Sequence, residues 1–345
     1  MNIYEQQANN KRLSVFIMGV FVAFFLFIGL GFDYFYINFT PVPEPEYSMN
    51  DYGYYEVEMK RQAIPYGTLL TLILSFGMVI NSMINGPRMV LRSTMARRAV
   101  STDIKEKQFL NVVAEMSTAA GIPMPQAYLM PDIDLNAFAT GFSPQDSHVA
   151  ITEGLLKELN REELQAVIGH EMSHIKNYDI RLMTITAALM GAVGLVSDFA
   201  GRAMRFRGSS GSSSGRSSGS GGRRGGLGPL MLVIFVVWIL FVILAPLISR
   251  LLAMAISRKR EYLADASSAE ITRNPLALAS ALEKIRAAVS PTYAVNNGIA
   301  HMCITDPRGS LIEEKMGLAA DVFATHPPME KRILALKMMA YQNSR

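Results

Sequence analysis

The chain has 345 residues, half of them hydrophobic, with a mean hydropathy of +0.20 and 33 basic against 29 acidic side chains. That length holds one sizeable catalytic domain plus membrane segments, or two water-soluble domains, and the positive hydropathy selects the first. A net charge of +4 without a nucleic-acid-reading motif argues against a nucleic-acid partner, and a single cysteine excludes an intramolecular disulfide framework. Cys303 reads as a small buried hydrophobe rather than a nucleophile.

Residues 13–31 carry no charge and are dominated by Phe, Val, Ile and Leu. Nineteen residues at about 1.5 Å each reach about 28 Å, the thickness of a bilayer's hydrocarbon core, so a transmembrane helix is expected. A secretory signal has a shorter apolar stretch and a small-residue cleavage site, so the helix is read as retained. Residues 64–84 form a second uncharged run, with Pro65 near its start, where a missing N–H costs little. Between the two, residues 32–63 hold Asp33, Glu44, Glu46, Asp51, Glu56 and Glu58 against Lys60 and Arg61. Lys11, Arg12, Arg88, Arg92, Arg97 and Arg98 lie on the outer flanks. The positive-inside rule therefore puts both flanks in the cytoplasm and the acidic, Tyr-rich loop outside. Residues 1–92 are expected to form a membrane anchor, and residues 93–181 the first part of a cytoplasmic catalytic domain.

Within that first part, Leu135-Asn136-Ala137-Phe138-Ala139-Thr140-Gly141 precedes a strand-like run at 149–152. Asn136, Ala137 and Phe138 then belong either to a sheet edge onto which a substrate backbone is laid or to an ordinary core strand. The pattern alone does not separate the two.

Asn160-Arg161-Glu162-Glu163 reads as an N-cap with a Glu three residues on, opening a helix. His170 and His174 follow on it, about 400° of rotation and about 6 Å of rise apart, so both imidazoles leave one face and converge on one ion. Glu171, displaced by about 100°, reaches a water there without being a ligand. That geometry underlies the H-E-x-x-H signature of zinc peptidases. The bland reading is a pair of solvated helix histidines.

Residues 182–200 and 229–249 are two further apolar stretches, joined by a Gly/Ser tract at 208–228 that reads as a flexible linker. Arg202, Arg205, Arg207, Arg216, Arg223 and Arg224 lie in or beside that tract. If both stretches cross the bilayer, the linker lies outside, against the positive-inside rule; if neither does, the conflict vanishes. Either way residues 250–345, the second part of the catalytic domain, return to the same side.

A catalytic zinc keeps three protein ligands and one open position. Glu261 in the helical stretch 257–265 is the best third ligand, with Asp265 one turn later as an acceptor able to orient a metal-bearing imidazole. An oxyanion stabiliser is also needed. His326, in Thr325-His326-Pro327-Pro328, is the candidate, with Arg332 following at the start of an amphipathic helix. On local evidence these two also read as a loop His near a surface Arg. His148 and His301 lack motif context and read as structural.

These motifs resemble the HtpX-type heat-shock membrane proteases, relatives of the CAAX prenyl proteases. The matching segments are 136–141, His170 to His174 followed by Asn177 and Asp179, 261–265, and Thr325 to Pro328 with Arg332. They run in order across residues 105–336, and the two early apolar helices match as well. The resemblance implies an α+β, mostly helical, zincin-like domain of the gluzincin type with a small β-sheet, anchored by two to four transmembrane helices. It implies one Zn²⁺ per chain on His170, His174 and Glu261, Glu171 as general base and His326 as oxyanion stabiliser. Asp265, with Asp179 and Arg332, stands behind the ligands, and Asn136 lies on the substrate-binding edge strand. The implied location is the inner or plasma membrane, multi-pass, with the active site facing the cytoplasm. Misfolded or damaged membrane proteins are the implied substrates. The long acidic loop and the Gly/Ser tract depart from the family pattern.

Two other readings compete. An intramembrane zinc protease places H-E-x-x-H within an apolar span, whereas Glu162, Glu163, Lys176, Asp179 and Arg181 flank it here. A non-catalytic zinc scaffold closes its metal with four protein ligands; three ligands and a retained Glu171 argue against it.

Overall fold

The computed structural model describes residues 3–39, 46–49, 55–58, 64–191, 259–288, 299–305 and 327–343. The Gly/Ser tract 208–228, the apolar run 229–249 and His326 lie outside the described residues. The chain divides into two units, one of Met18–Ile80 with Ser197–Ala245, the other of Met1–Ile17, Asn81–Val196 and Pro246–Arg345.

Helices α1 (Ile3–Phe39) and α2 (Tyr66–Ser93) extend well beyond the apolar runs that announce them. Glu, Gln, Lys and Arg are good helix formers, so hydropathy marks the middle of such a helix but not its ends. By length and composition Glu5–Tyr34 and Tyr66–Ser93 are long and apolar enough to cross a membrane, with mean hydropathies of 2.7 and 1.8 over an 18-residue stretch of each. In the first unit, Asp33 is not in the acidic loop where its charge suggested, but buried in α1. Its carboxylate accepts from Gly67 N at 2.7 Å and Thr68 N at 2.8 Å, supplying acceptors that the first turn of α2 lacks. At Gly29 the helices touch backbone to backbone, since a Cβ there would stand 2.7 Å from Thr68 Cα. Strands β1 (Glu46–Met49) and β2 (Tyr55–Glu58) pair antiparallel within the acidic segment.

The second unit is built on a four-stranded sheet of β3 (Arg97–Arg98), β4 (Gln126–Met130), β5 (Ala137–Ser143) and β6 (Asp146–Thr152), in the order β3-β4-β6-β5. β4 and β6 are parallel; the other pairs are antiparallel. The β5–β6 hairpin turns through a bulge at Gly141, whose φ is 148° and whose Cβ would stand 2.2 Å from Asp146 O, so glycine is required there.

Helices α3 (Ile104–Ala120), α4 (Glu153–Glu158), α5 (Arg161–Lys176), α6 (179–191), α7 (259–272), α8 (Pro275–Ala287) and α9 (Met329–Asn343) follow in chain order. Helix α5 packs against α3, α8 and β5. Residues 166–175 of α5 are all buried, which leaves no solvated face for a polar side chain. His170, Glu171, Ser173 and His174 therefore carry a desolvation cost that only specific partners offset.

Candidate metal centre

Helix α5 starts where its cap signal says. Asn160 Oδ1 accepts from Glu163 N, Glu163 Oε2 accepts from Asn160 N, and Lys284 Nζ and Ser280 Oγ of α8 close on the same carboxylate. Helix α7 then crosses α5 at Gly169. A Cβ on Gly169 would stand 3.1 Å from Ser268 Oγ, and that hydroxyl donates to Ala166 O at 2.6 Å. Glu261, Asp265 and Ser268 share one face of α7, so the crossing that seats Ser268 also carries the two carboxylates to His170.

His170 Nε2 and His174 Nε2 face each other at 3.2 Å. Glu261 Oε2 lies 3.7 Å from the first and Glu261 Oε1 lies 3.6 Å from the second. Ligand atoms around a tetrahedral zinc at bond lengths of 2.0–2.2 Å stand about 3.3–3.6 Å apart. The three side chains, all buried, could thus hold a metal ion with little rearrangement. Each imidazole turns its other nitrogen to a carboxylate: His170 Nδ1 is 3.0 Å from Asp265 Oδ1, and His174 Nδ1 is 3.0 Å from Asp179 Oδ2. That fixes which nitrogen faces the cluster.

The carboxylates are themselves held. Arg332, on the first turn of α9, is wholly buried rather than on the surface as its local sequence allowed. Its Nε and Nη2 donate to the two oxygens of Asp265, both at 2.8 Å, while Nη1 donates to Ile304 O at 2.9 Å and lies 3.2 Å from Glu261 Oε2. Arg260 Nε approaches Asp179 Oδ1 at 3.6 Å.

Burial opposes the charge on Asp265, but the Arg332 guanidinium and His170 hold its carboxyl below the usual range. Burial pushes His170 down. It also works against a charge on His174, yet the hydrogen bond to Asp179 and the field of Glu261 raise that imidazole to about 9. The carboxylates of Glu171, Glu261, Asp265 and Asp179 thus share one buried region with the guanidiniums of Arg260 and Arg332.

The other expected residues fall as follows. Glu171 is buried on α5 between the two histidines. Asn136, Ala137 and Phe138 are fully buried where β5 begins, at an edge of the sheet. That edge already has a partner there: Ile304 N donates to Ala137 O at 2.9 Å, and Phe138 forms an isolated antiparallel bridge with Cys303. Further along, Gly141 N donates to Thr184 Oγ1 at 3.1 Å. Cys303 is buried, and His301 Nε2 lies 3.2 Å from Met183 O. Sequence reasoning did not single out Arg260, Ile304 or Asn10, whose amide reaches Asp179 Oδ1 at 2.6 Å. Each is separated from its partner in sequence by 28 residues or more, and none belongs to a spaced motif.

Two histidines one helical turn apart, a glutamate following the first, and a single carboxylate brought in from another helix are the arrangement by which zinc peptidases are recognised. Residues 103–340 match the description "Peptidase family M48", and the chain belongs to that family. It is 38% identical to a protease HtpX homolog of Streptococcus pyogenes serotype M49 (strain NZ131), over 98% of this chain and 100% of that protein. A protease HtpX homolog of Streptococcus equi subsp. zooepidemicus (strain MGCS10565) is 41% identical over 83% of this chain and 90% of that one. Among solved structures, S. mikatae Ste24p is similar with a TM-score of 0.44 and 18% identity, over 78% of this chain and 57% of that chain.

Proposed function

We propose that the protein is a zinc endopeptidase anchored in the cell membrane, cleaving misfolded or damaged membrane proteins at the cytoplasmic face. The observation that carries the reading is the cluster of His170, His174 and Glu261 with Glu171 buried beside it. Two imidazoles and one carboxylate suit zinc and leave an open position, as a catalytic site requires. When bound, zinc supplies a Lewis acid that polarises the scissile carbonyl and acidifies an attacking water. Glu171 takes the proton from that water and delivers it to the leaving amine. Asp265 and Asp179 hold Nδ1 of the two histidines, keeping Nε2 of each directed at the cluster. Arg332 pins Asp265 and Glu261 together. His326 stabilises the oxyanion.

Strand β5 receives the substrate backbone in an extended pose, as a strand added to the sheet edge. The single bridge between Phe138 and Cys303 and the bond from Ile304 N are the contacts such a substrate replaces. Cytoplasmic orientation is supported by the basic flanks of the two apolar helices. The charged ends of α5 and its packing among α3, α8 and β5 support a catalytic domain outside the bilayer rather than an intramembrane site.

The test is proteolysis of casein by the full-length protein in detergent. Cleavage is expected to stop with a chelator and return with zinc, and His170→Ala is expected to show neither bound zinc nor cleavage. Cleavage that survives complete metal removal contradicts the proposal.

A further inference from the structure

Helix α1 opens with Gln6, Gln7, Asn10, Lys11 and Ser14, ahead of or at the start of its apolar run. A polar flank of a membrane helix ordinarily faces water. Here Gln6 is 5% exposed, Asn10 1% and Ser14 0%. Gln7, Asn10 and Ser14 recur on one helix face. Amide groups buried this deeply cost free energy without partners.

Asn10 and the half-buried Gln7 find theirs on consecutive residues at the end of α5, while Ser14 bonds back to Asn10 O. Gln7 Nε2 donates to Lys176 O at 2.8 Å, and Asn10 Nδ2 donates to Asn177 O at 2.9 Å. Carbonyls at a helix C-terminus lack partners within the helix, and these two side chains supply them. Lys11 Nζ stands 4.2 Å from the centre of the Tyr178 ring, and Tyr178 sits at a φ of 60°, in the left-handed region. The second N–H of the Asn10 amide goes to Asp179 Oδ1 at 2.6 Å, and the other oxygen of that carboxylate is 3.0 Å from His174 Nδ1.

We infer that Asn10 is a positioning residue of the metal site, acting through Asp179 to fix the direction of the His174 imidazole. The inference rests on the zinc-site reading above. It concerns a residue outside the 103–340 match to the peptidase family. Arg260 reaches the same Asp179 oxygen only at 3.6 Å, so Asn10 provides the closer contact and also ties the carboxylate to the turn that carries it. The catalytic unit therefore includes the first turns of the chain. Removing residues 1–12 weakens zinc binding although every ligand remains.

The experiment measures zinc affinity of the full-length chain in detergent by competition with a chromophoric chelator. Asn10→Ala is expected to weaken zinc roughly tenfold, the low end for a lost partner behind a ligand. Asn10→Asp, nearly the same size, weakens it further because a carboxylate then faces Asp179. Arg12→Ala, at an exposed neighbouring position, leaves zinc affinity where it is. In casein cleavage at limiting zinc, Asn10→Ala lowers kcat with KM unchanged, and excess zinc restores it. In the Asp179→Asn background, Asn10→Ala adds little further loss, as coupled residues require. Asn10 variants that bind zinc like the parent, or lose affinity additively with Asp179→Asn, overturn the inference. A parent chain that binds no zinc overturns the zinc-site reading itself, so the two failures are distinct.

Discussion

His170 and His174 stand one turn apart on the same helix and turn Nε2 toward the same cluster, yet what lies behind them differs. Behind His170 is a charged stack from the end of the chain, with Asp265 gripped by two nitrogens of Arg332. Behind His174 is Asp179, held mainly by the neutral amide of Asn10, with Arg260 farther off. The first support is a bidentate ion pair sealed from water; the second is a turn clipped by the chain's opening helix. Both are expected to matter for metal affinity, but only the first for folding as well.

The largest effect expected is at Arg332. Arg332→Met leaves Asp265 and Glu261 as buried carboxylates without their guanidinium, and breaking such a pair costs roughly 3–5 kcal/mol. Thermal unfolding should show it, and Arg332→Lys should not restore it, because an ammonium cannot make the two-nitrogen contact.

Next come Asp265→Asn and Asp179→Asn. Each should lower zinc affinity by roughly 10–100-fold. Only Asp265→Asn should also lower the melting temperature of the metal-free chain markedly, since it strands Arg332. Equal melting temperatures for the two variants would break the contrast.

Smaller is Gly169→Ala at the crossing of α5 and α7. Its methyl meets Ser268 Oγ at 3.1 Å, so that hydroxyl must shift by a few tenths of an ångström and strain its bond to Ala166 O. A loss of roughly 1–3 kcal/mol is expected, read by denaturant unfolding.

The smallest lies away from both histidines, at Glu163. Burial opposes its charge, but Lys284, Ser280 and the Asn160 N–H hold its carboxyl below the usual value. With the folded pKa depressed, its stabilisation is complete above the unfolded pKa of about 4.3 and is lost as pH falls through the folded value. Glu163→Gln should therefore lower stability at pH 7 by roughly 1 kcal/mol and flatten its fall between pH 5 and the folded pKa, as followed by unfolding across that range.

Much of the centre was readable in the sequence because its information is local. Asn160 and Glu163 announce the cap, residues 170–174 carry their spacing on one helix, and Glu261 and Asp265 lie one turn apart. The sheet was legible only as extended stretches; β5 was found, but not that Cys303 and Ile304 lie along its edge. The burial of Arg332 was hidden, since a cation near a helix start looks the same whether it faces water or two carboxylates. Asn10 was least visible, being 169 residues from Asp179 and surrounded by residues that suit a solvated membrane flank. Asp33 misled for a related reason. Its charge suggested a loop, whereas its carboxylate is consumed at the start of α2.

The most direct test of the account is zinc content and casein cleavage measured on one preparation of the full-length Glu171→Gln variant. The account predicts one zinc per chain, as in the parent, with cleavage reduced roughly 10²–10⁴-fold by loss of the general base. A variant that retains zinc and cleaves at the parent's rate contradicts the role given to Glu171, and with it the central claim that this cluster is a hydrolytic site.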